Sequence, residues 1–400
     1  MERPYVKITV TEKGERSLRA RHPWVYADEV VGANGECENG DIVDVISGKG
    51  RFLGAGFYNA NSKIRVRILS ANANDRFDSA FWDRRLRWAV DYRRTVMGAD
   101  FSCCRLVFGE ADGLPGLTVD RFEDVLVAQC MCLGMERIKS ELYAKLVDIM
   151  SGAGVKISAV YERNDAALRE KEGLEQAKGF TIGSGDGHVI ITENGIKYDV
   201  DYISGQKTGF FLDQKYNRQA VARIARGKRV LDLFTHTGAF GLNCAAAGAA
   251  KVTSVDISAD ALTSAAKNAA LNGLEVKYVQ ADIFKLLTKM AEERCRDYDC
   301  IILDPPAFTK SGATLKNAVR GYKEINMKAM KLLPRGGYLA TCSCSHFMTD
   351  ELFRGMLKDA AMDAGVSLKQ IEARQQGPDH PIAWDVPETD YLKFYIFQVI

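Results

Sequence analysis

The chain has few histidines, almost no net charge and no long apolar run. Five histidines are scattered over 400 residues, and the ten cysteines form no paired CxxC array, which speaks against a structural zinc site. A net charge of +2 makes no strong field, so any grip on nucleic acid must come from local basic clusters. No apolar run approaches the roughly 20 residues of a membrane span. The opening "MERPYVKITV" lacks a signal-peptide core, which predicts a cytoplasmic protein without a membrane partner. A GxGxxG dinucleotide fingerprint is absent, and "GQKTG" (205–209) lacks the upstream spacing of a phosphate-binding loop. In a reducing compartment most of the cysteines read as small buried packing residues.

Three stretches of different pattern follow one another. Residues 1–72 hold short strand-like runs, "YVKITV", "GDIVDVIS", "FLGAGFY" and "KIRVRILS", with turn residues at hairpin spacing, which predicts a small all-β, barrel-like domain. Residues 73–188 predict a central α+β domain. It opens on "RFDSAFWDRRLRWAVDYRRTVMG", a helical pattern with apolar Phe77, Phe81, Leu86 and Val90. Its arginines read either as a solvated face or as a surface for RNA phosphates, with Arg84, Arg85 and Arg87 as the candidate contacts. Residues 189–400 alternate strand and helix regularly. "RVLDLF", "KVTSVDI", "KYVQAD", "DCIILDPP" and "GGYLATCS" are the strands of a doubly wound parallel α/β sheet.

Ligands of such sheets bind in the crevice at the carboxyl ends of the strands. There "VLDLFTHTGAFG" (230–241) ends an apolar strand in Asp232 and a glycine-containing turn. The next two strands end in Asp256 and Asp282. Three acids at successive strand ends, with that turn, predict an adenosine-containing ligand touched by Asp232, Phe234, Thr237, Gly238, Asp256, Ile257, Asp282 and Ile283. "LDPPAF" (303–308) then makes a rigid, donor-poor loop. It presents Asp304, Pro305 and Pro306 to a flat ring on which Phe308 can stack. Together these residues resemble S-adenosylmethionine-dependent methyltransferases with an Asp-Pro-Pro catalytic loop, a Rossmann-like class I fold.

"TCSCS" (341–345) closes the fifth strand with two cysteines on one face and Ser343 on the other. Carbon 5 of a pyrimidine is a poor nucleophile. A thiolate adding to carbon 6 activates it, while an acid near N3 stabilises the developing charge. Cys344 and Asp304 are the candidates for these roles, with Cys342 as the alternative nucleophile. Two packed cysteines, or a metal pair with His346, are the other readings of the motif.

"RHPWVYADEV" (21–30), "GEADGLPGLTVDRF" (109–122), "YERND" (161–165), "GQKTGFFLDQKYNR" (205–218), "DPPAF", "TCSCS" and "DHP" (379–381) extend the likeness over nearly the whole chain. It resembles the large-subunit ribosomal RNA cytosine-C5 methyltransferase I family, which joins a PUA domain, a central domain and a methyltransferase domain. The resemblance implies that Lys207, Thr208, Gly209 and Phe211 pack over the methyl donor. It also implies that large-subunit ribosomal RNA is the partner, and it leaves a homodimer open. The chain departs from the family pattern at Thr235-His236, Ala239 and Phe108. A nitrogen methyltransferase acting on guanine or another base, and a non-catalytic RNA-binding assembly factor, are the competing functions.

Overall fold

The computed structural model describes residues 3–309 and 311–400. The chain forms two compact units. One comprises 1–190, 200–212 and 378–389; the other comprises 191–199, 213–377 and 390–400.

In the first unit the strands Lys7–Val10, Trp24–Tyr26, Val30–Ala33, Ile42–Ser47, Phe52–Tyr58 and Ile64–Ser70 make one six-stranded sheet. Lys7–Val10 runs parallel to Ile42–Ser47, and the other pairs are antiparallel. Ile8, Val10, Val25, Val43, Val45 and Val66 build its core. The expectation of an all-β domain misses the helix Glu12–Arg19. Thr11 caps that helix by accepting from the Gly14 N–H, and Leu18 is its one side chain in the core. A second, five-stranded sheet runs in the order Ala177–Gly183, Ala159–Asn164, Val125–Cys130, Leu117–Phe122, Cys103–Phe108.

The arginine-rich helix spans Ser79–Met97 and starts at Asp78, whose side chain accepts from the Phe81 N–H. Phe81, Trp82, Leu86, Ala89 and Val90 are buried on one side of it. Arg93 is buried with them, donating to Asp112 at 2.6 Å and to the carbonyls of Arg105 and Asp379. It is an internal strut.

In the second unit seven strands lie in the order Lys277–Gln280, Lys251–Asp256, Arg229–Leu233, Cys300–Leu303, Tyr338–Ser343, Lys393–Val399, Leu368–Arg374. The first five are parallel, as the alternation predicts, and Lys393–Val399 runs antiparallel to both its neighbours, Tyr338–Ser343 and Leu368–Arg374. Strand order reverses between Arg229–Leu233 and Cys300–Leu303, which opens the crevice. Alternate residues feed opposite faces. Leu231, Leu233, Ile301, Leu303 and Leu339 pack toward the helices Ile283–Glu292, Leu315–Leu332 and Asp350–Ala364. Val230, Cys300, Ile302, Ala340 and Cys342 pack toward Lys215–Ala225 and Ala239–Ala246. Among the described residues no helix is long and apolar enough to cross a membrane.

Candidate active site

The first strand ends in a turn that only a strained backbone can make. Phe234, His236 and Gly238 all take left-handed conformations, with φ of 63°, 51° and 84°. Asp232 holds this turn. Its carboxylate accepts from the Thr235 hydroxyl, from the Gly241 N–H at 2.9 Å and from the Ser254 hydroxyl at 3.3 Å. A side chain at Gly241 would lie 2.4 Å from the Ser254 oxygen, so glycine is what lets the following helix approach the sheet. Asp232 is fully buried, and this burial pushes its carboxyl up to about 7. All three of the bonds it accepts go to Oδ2, so Asp232 braces the turn through one oxygen, while the buried Oδ1 has no hydrogen-bond partner among the described residues.

Asp256 is placed differently. It is half-buried at the end of the second strand, accepting from the His236 N–H and the Ser258 N–H, both at 2.9 Å. Each oxygen therefore keeps a lone pair for an incoming hydroxyl. Beside it Ile257 is 65% exposed, an apolar face suited to a flat ring. Asp282 caps the helix Ile283–Glu292 through the Phe284 and Lys285 N–H groups. Ile283 is buried in the core, so it supports the crevice wall from behind.

The Asp-Pro-Pro loop and the cysteine strand meet. The Cys342 thiol donates to Asp304 Oδ1 at 2.9 Å, and Gln214 Nε2 donates to the same oxygen at 3.1 Å. Asp304 opens only part of its surface, and the desolvation holds its carboxyl above the usual range. Cys342 is fully buried, and burial followed by the neighbouring Asp304 pushes its thiol well up. Cys344 shares its side of the sheet but is half-buried, with Sγ 3.9 Å from the Pro305 carbonyl. Ser343 points the other way and donates to the Tyr322 hydroxyl at 3.1 Å. Pro305 is buried and Pro306 exposed, while the Phe308 ring packs 4.5 Å from that of Tyr322. No disulfide involves any of the ten cysteines, and no group of metal-ligating side chains occurs among the described residues.

Residues 152–398 match the S-adenosylmethionine-dependent methyltransferase family, and residues 8–71 match a PUA-like domain. A ribosomal RNA large subunit methyltransferase I from Shewanella denitrificans is 42% identical, over 98% of this chain and 99% of its own. Its counterpart in Klebsiella pneumoniae is 39% identical over 99% of each. The chain belongs to the ribosomal RNA large subunit methyltransferase I family. Its fold is likewise that of a structure from Streptococcus mutans described as a SAM-dependent methyltransferase. That structure has a TM-score of 0.83 at 22% identity, over 98% of this chain and 99% of its own. A second methyltransferase, solved in complex with SAH, reaches 0.84 at 21% identity over the same shares.

The residues carried over from the methyltransferase I family pattern in 205–212 belong to the first unit. The Lys207 ammonium lies 4.7 Å from the Phe211 ring centroid, and the buried Thr208 hydroxyl donates to Asp120 at 2.6 Å. A side chain at Gly209 would meet the Asp201 carbonyl at 2.9 Å, so its glycine is dictated by local packing. The three arginines expected on phosphates are engaged within the unit. Arg84 pairs with Asp75 at 3.2 Å, Arg87 with Asp83 at 2.7 Å, and Arg85 donates to the Leu69 carbonyl at 2.9 Å. Arg84 and Arg87 therefore offer less net charge to a backbone than the sequence suggests.

Sequence reading misses two residues of this site. Gln214, which bridges Asp304 and Cys342 (3.4 Å to the sulfur), lies inside the singled-out "GQKTGFFLDQ" run but carries no motif of its own. Lys393 pairs with Ser343 across the sheet and donates to the Ser345 and Tyr391 carbonyls at 2.7 and 3.0 Å. Burial pushes its ammonium down to about 8 against 10.5 in open chain, with Asp390 and then Cys344 pulling the other way. Below pH 8 the amine is charged in both folded and unfolded chains. Between about 8 and 10.5 the unfolded chain binds more protons, so stability rises with pH. The melting temperature of the native protein relative to Lys393→Met should therefore be level below pH 8 and climb above it. A thermal-shift series in which the difference stays level to pH 10 places the amine in water.

Proposed function

We propose that this chain methylates carbon 5 of a cytosine in large-subunit ribosomal RNA, in the cytoplasm, through a covalent adduct on Cys344. The observation that carries the reading is the division of labour between the cysteines. Cys342 is buried and donates a hydrogen bond to Asp304, whereas Cys344 keeps open surface beside the Asp-Pro-Pro loop. The residues also fit the family's methyl donor. Asp256 has acceptor capacity for ribose hydroxyls, Ile257 offers an open face, and Gly238 brings the backbone close. S-adenosylmethionine, when bound, supplies an electrophilic methyl group.

The chain's own groups do the rest. The Cys344 thiolate adds to carbon 6 and moves electron density toward N3 and carbon 5. Asp304, whose carboxyl desolvation holds above the usual range, acts as the acid that protonates N3 and so neutralises the charge there. Carbon 5 then behaves as an enamine carbon. Once it carries the methyl group its proton passes to solvent water as the thiolate leaves carbon 6, and N3 returns its proton to the Asp304 carboxylate. Gln214 fixes the Asp304 carboxyl through Oδ1, and Asn217 fixes Gln214 by donating to its Oε1 at 2.6 Å.

The decisive experiment is base-resolution mapping of large-subunit ribosomal RNA from cells with and without the gene. One cytosine is expected to lose its carbon 5 methyl group in the deletion. Loss of a methyl group from a base nitrogen instead gives the site to the nitrogen chemistry.

A further inference from the structure

The first unit holds a groove of about 600 Å³ that none of this chemistry uses. Its wall includes Arg21, Arg85, Trp88, Tyr92 and the 381–386 segment, all within that unit. Four residues apart on the helix Ser79–Met97, Trp88 and Tyr92 stand on one face and are 57% and 38% exposed. Trp384, between the lining residues Ala383 and Asp385, is 99% exposed. Open aromatic surface along and beside one groove marks it as a candidate contact surface.

The charges around Trp88 and the groove wall point to the occupant. The guanidinium groups of Arg84 and Arg85 each lie 5.6 Å from the Trp88 ring centroid. Arg21 is exposed with no side-chain partner among the described residues, and Arg85 makes no ion pair there. The acids of the wall are largely neutralised. Glu110 accepts from the Trp24 indole at 3.0 Å and pairs with Arg67 at 2.9 Å, and Asp112 pairs with Arg93 at 2.6 Å. Asp385 stands open at the rim. Aromatic planes interleaved with arginines, on a wall whose carboxylates are mostly spent, suit unpaired nucleotides rather than a duplex, whose bases hide their faces.

We propose that this groove takes an unpaired segment of the RNA substrate, with one base stacked on Trp88, a second on Trp384, and the intervening phosphate on Arg21. This rests on the reading of the chain as an RNA methyltransferase and deepens it. Stacking is sequence-tolerant, so the groove would anchor a single-stranded flank and leave the choice of cytosine to the methyltransferase unit.

The test is fluorescence anisotropy of the full chain with a labelled 12-nucleotide single strand, and with the same strand annealed to its complement. Trp88→Ala and Trp384→Ala are each expected to weaken single-strand binding about 5- to 150-fold, the range of one lost base stack. Trp88→Phe should recover most of it. Duplex binding and the salt slope should hold, because stacking releases no counterions, whereas Arg21→Ala should lower the slope by about 0.7. Unchanged affinity for S-adenosylmethionine checks that the variants fold. If the native protein binds RNA and the double variant Trp88→Ala/Trp384→Ala binds the single strand as well as it does, the groove is not the anchor. Equal losses on single strand and duplex also overturn it. A native chain that binds neither RNA takes the substrate reading down as well.

Discussion

Cys344→Ala should form no methylated RNA and no covalent RNA adduct, while binding S-adenosylmethionine as the native protein does. The adduct is read with RNA carrying 5-fluorocytosine at the target. Fluorine at carbon 5 cannot leave as a proton would, so the thiolate stays bonded to carbon 6 and a shifted band survives denaturing electrophoresis. Cys342→Ala should keep most activity. Its thiol is fully buried, is pushed well above its ordinary value, and faces Asp304 rather than the crevice. The hydrogen bond it gives lowers the Asp304 pKa, so removing it shifts that carboxyl further up, the direction an acid needs. Activity of the native enzyme should rise with pH as the attacking thiol ionises, since a free thiol near pKa ~8.5 is only a few per cent thiolate at neutrality. An inactive Cys342→Ala beside an active Cys344→Ala would reverse the two roles. Normal methylation by the double variant would end the thiol mechanism altogether.

The parallel sheet was legible because its central strands, Arg229–Leu233, Cys300–Leu303 and Tyr338–Ser343, are largely apolar and buried on both faces, and each is followed by a helix. The shared side of Cys342 and Cys344 followed from the two-residue period alone, and both pack toward Val230 and Ala340. The edge strand Leu368–Arg374, "LKQIEAR", was missed because only one face of it is covered and most of its residues are polar. The helix Glu12–Arg19 escaped for a related reason. It buries little beyond Gly14 and Leu18, so no apolar stripe marks it.

The site residues divide along the same physical line. An aspartate at a strand end reads alike whether it braces a turn, caps a helix or faces a ligand. Asp232 braces a turn, Asp282 caps a helix, and Asp256 accepts from the His236 and Ser258 N–H groups with part of its surface open. Burial sets Asp232 apart, whereas Asp256 and Asp282 are both half-buried and differ in the N–H groups they accept from, which depends on the packing around them. Gln214 and Lys393 reach Asp304 and the Cys344 segment across long stretches of chain. No local pattern marks such contacts.

Of the three acids, Asp256 is the one whose removal should abolish donor binding under ordinary assay conditions. Two hydrogen bonds from ribose hydroxyls to a carboxylate are worth about 1.5–3 kcal/mol each. Asp256→Ala should therefore weaken S-adenosylmethionine binding by roughly two to four orders of magnitude in isothermal calorimetry. Part of that loss is indirect, because the same carboxylate accepts from the His236 N–H and steadies the strained turn between Phe234 and Gly238. Asp256→Asn retains an acceptor but loses the charge, and should fall between the two. Asp282→Asn serves as the contrast. Asparagine caps a helix as well as aspartate does, so the helix Ile283–Glu292 should keep its N-terminus and donor affinity should change little. If Asp282→Asn costs more affinity than Asp256→Ala, the ribose lies nearer the third strand than the second. If neither variant changes the affinity, the donor does not occupy the carboxyl ends of these strands.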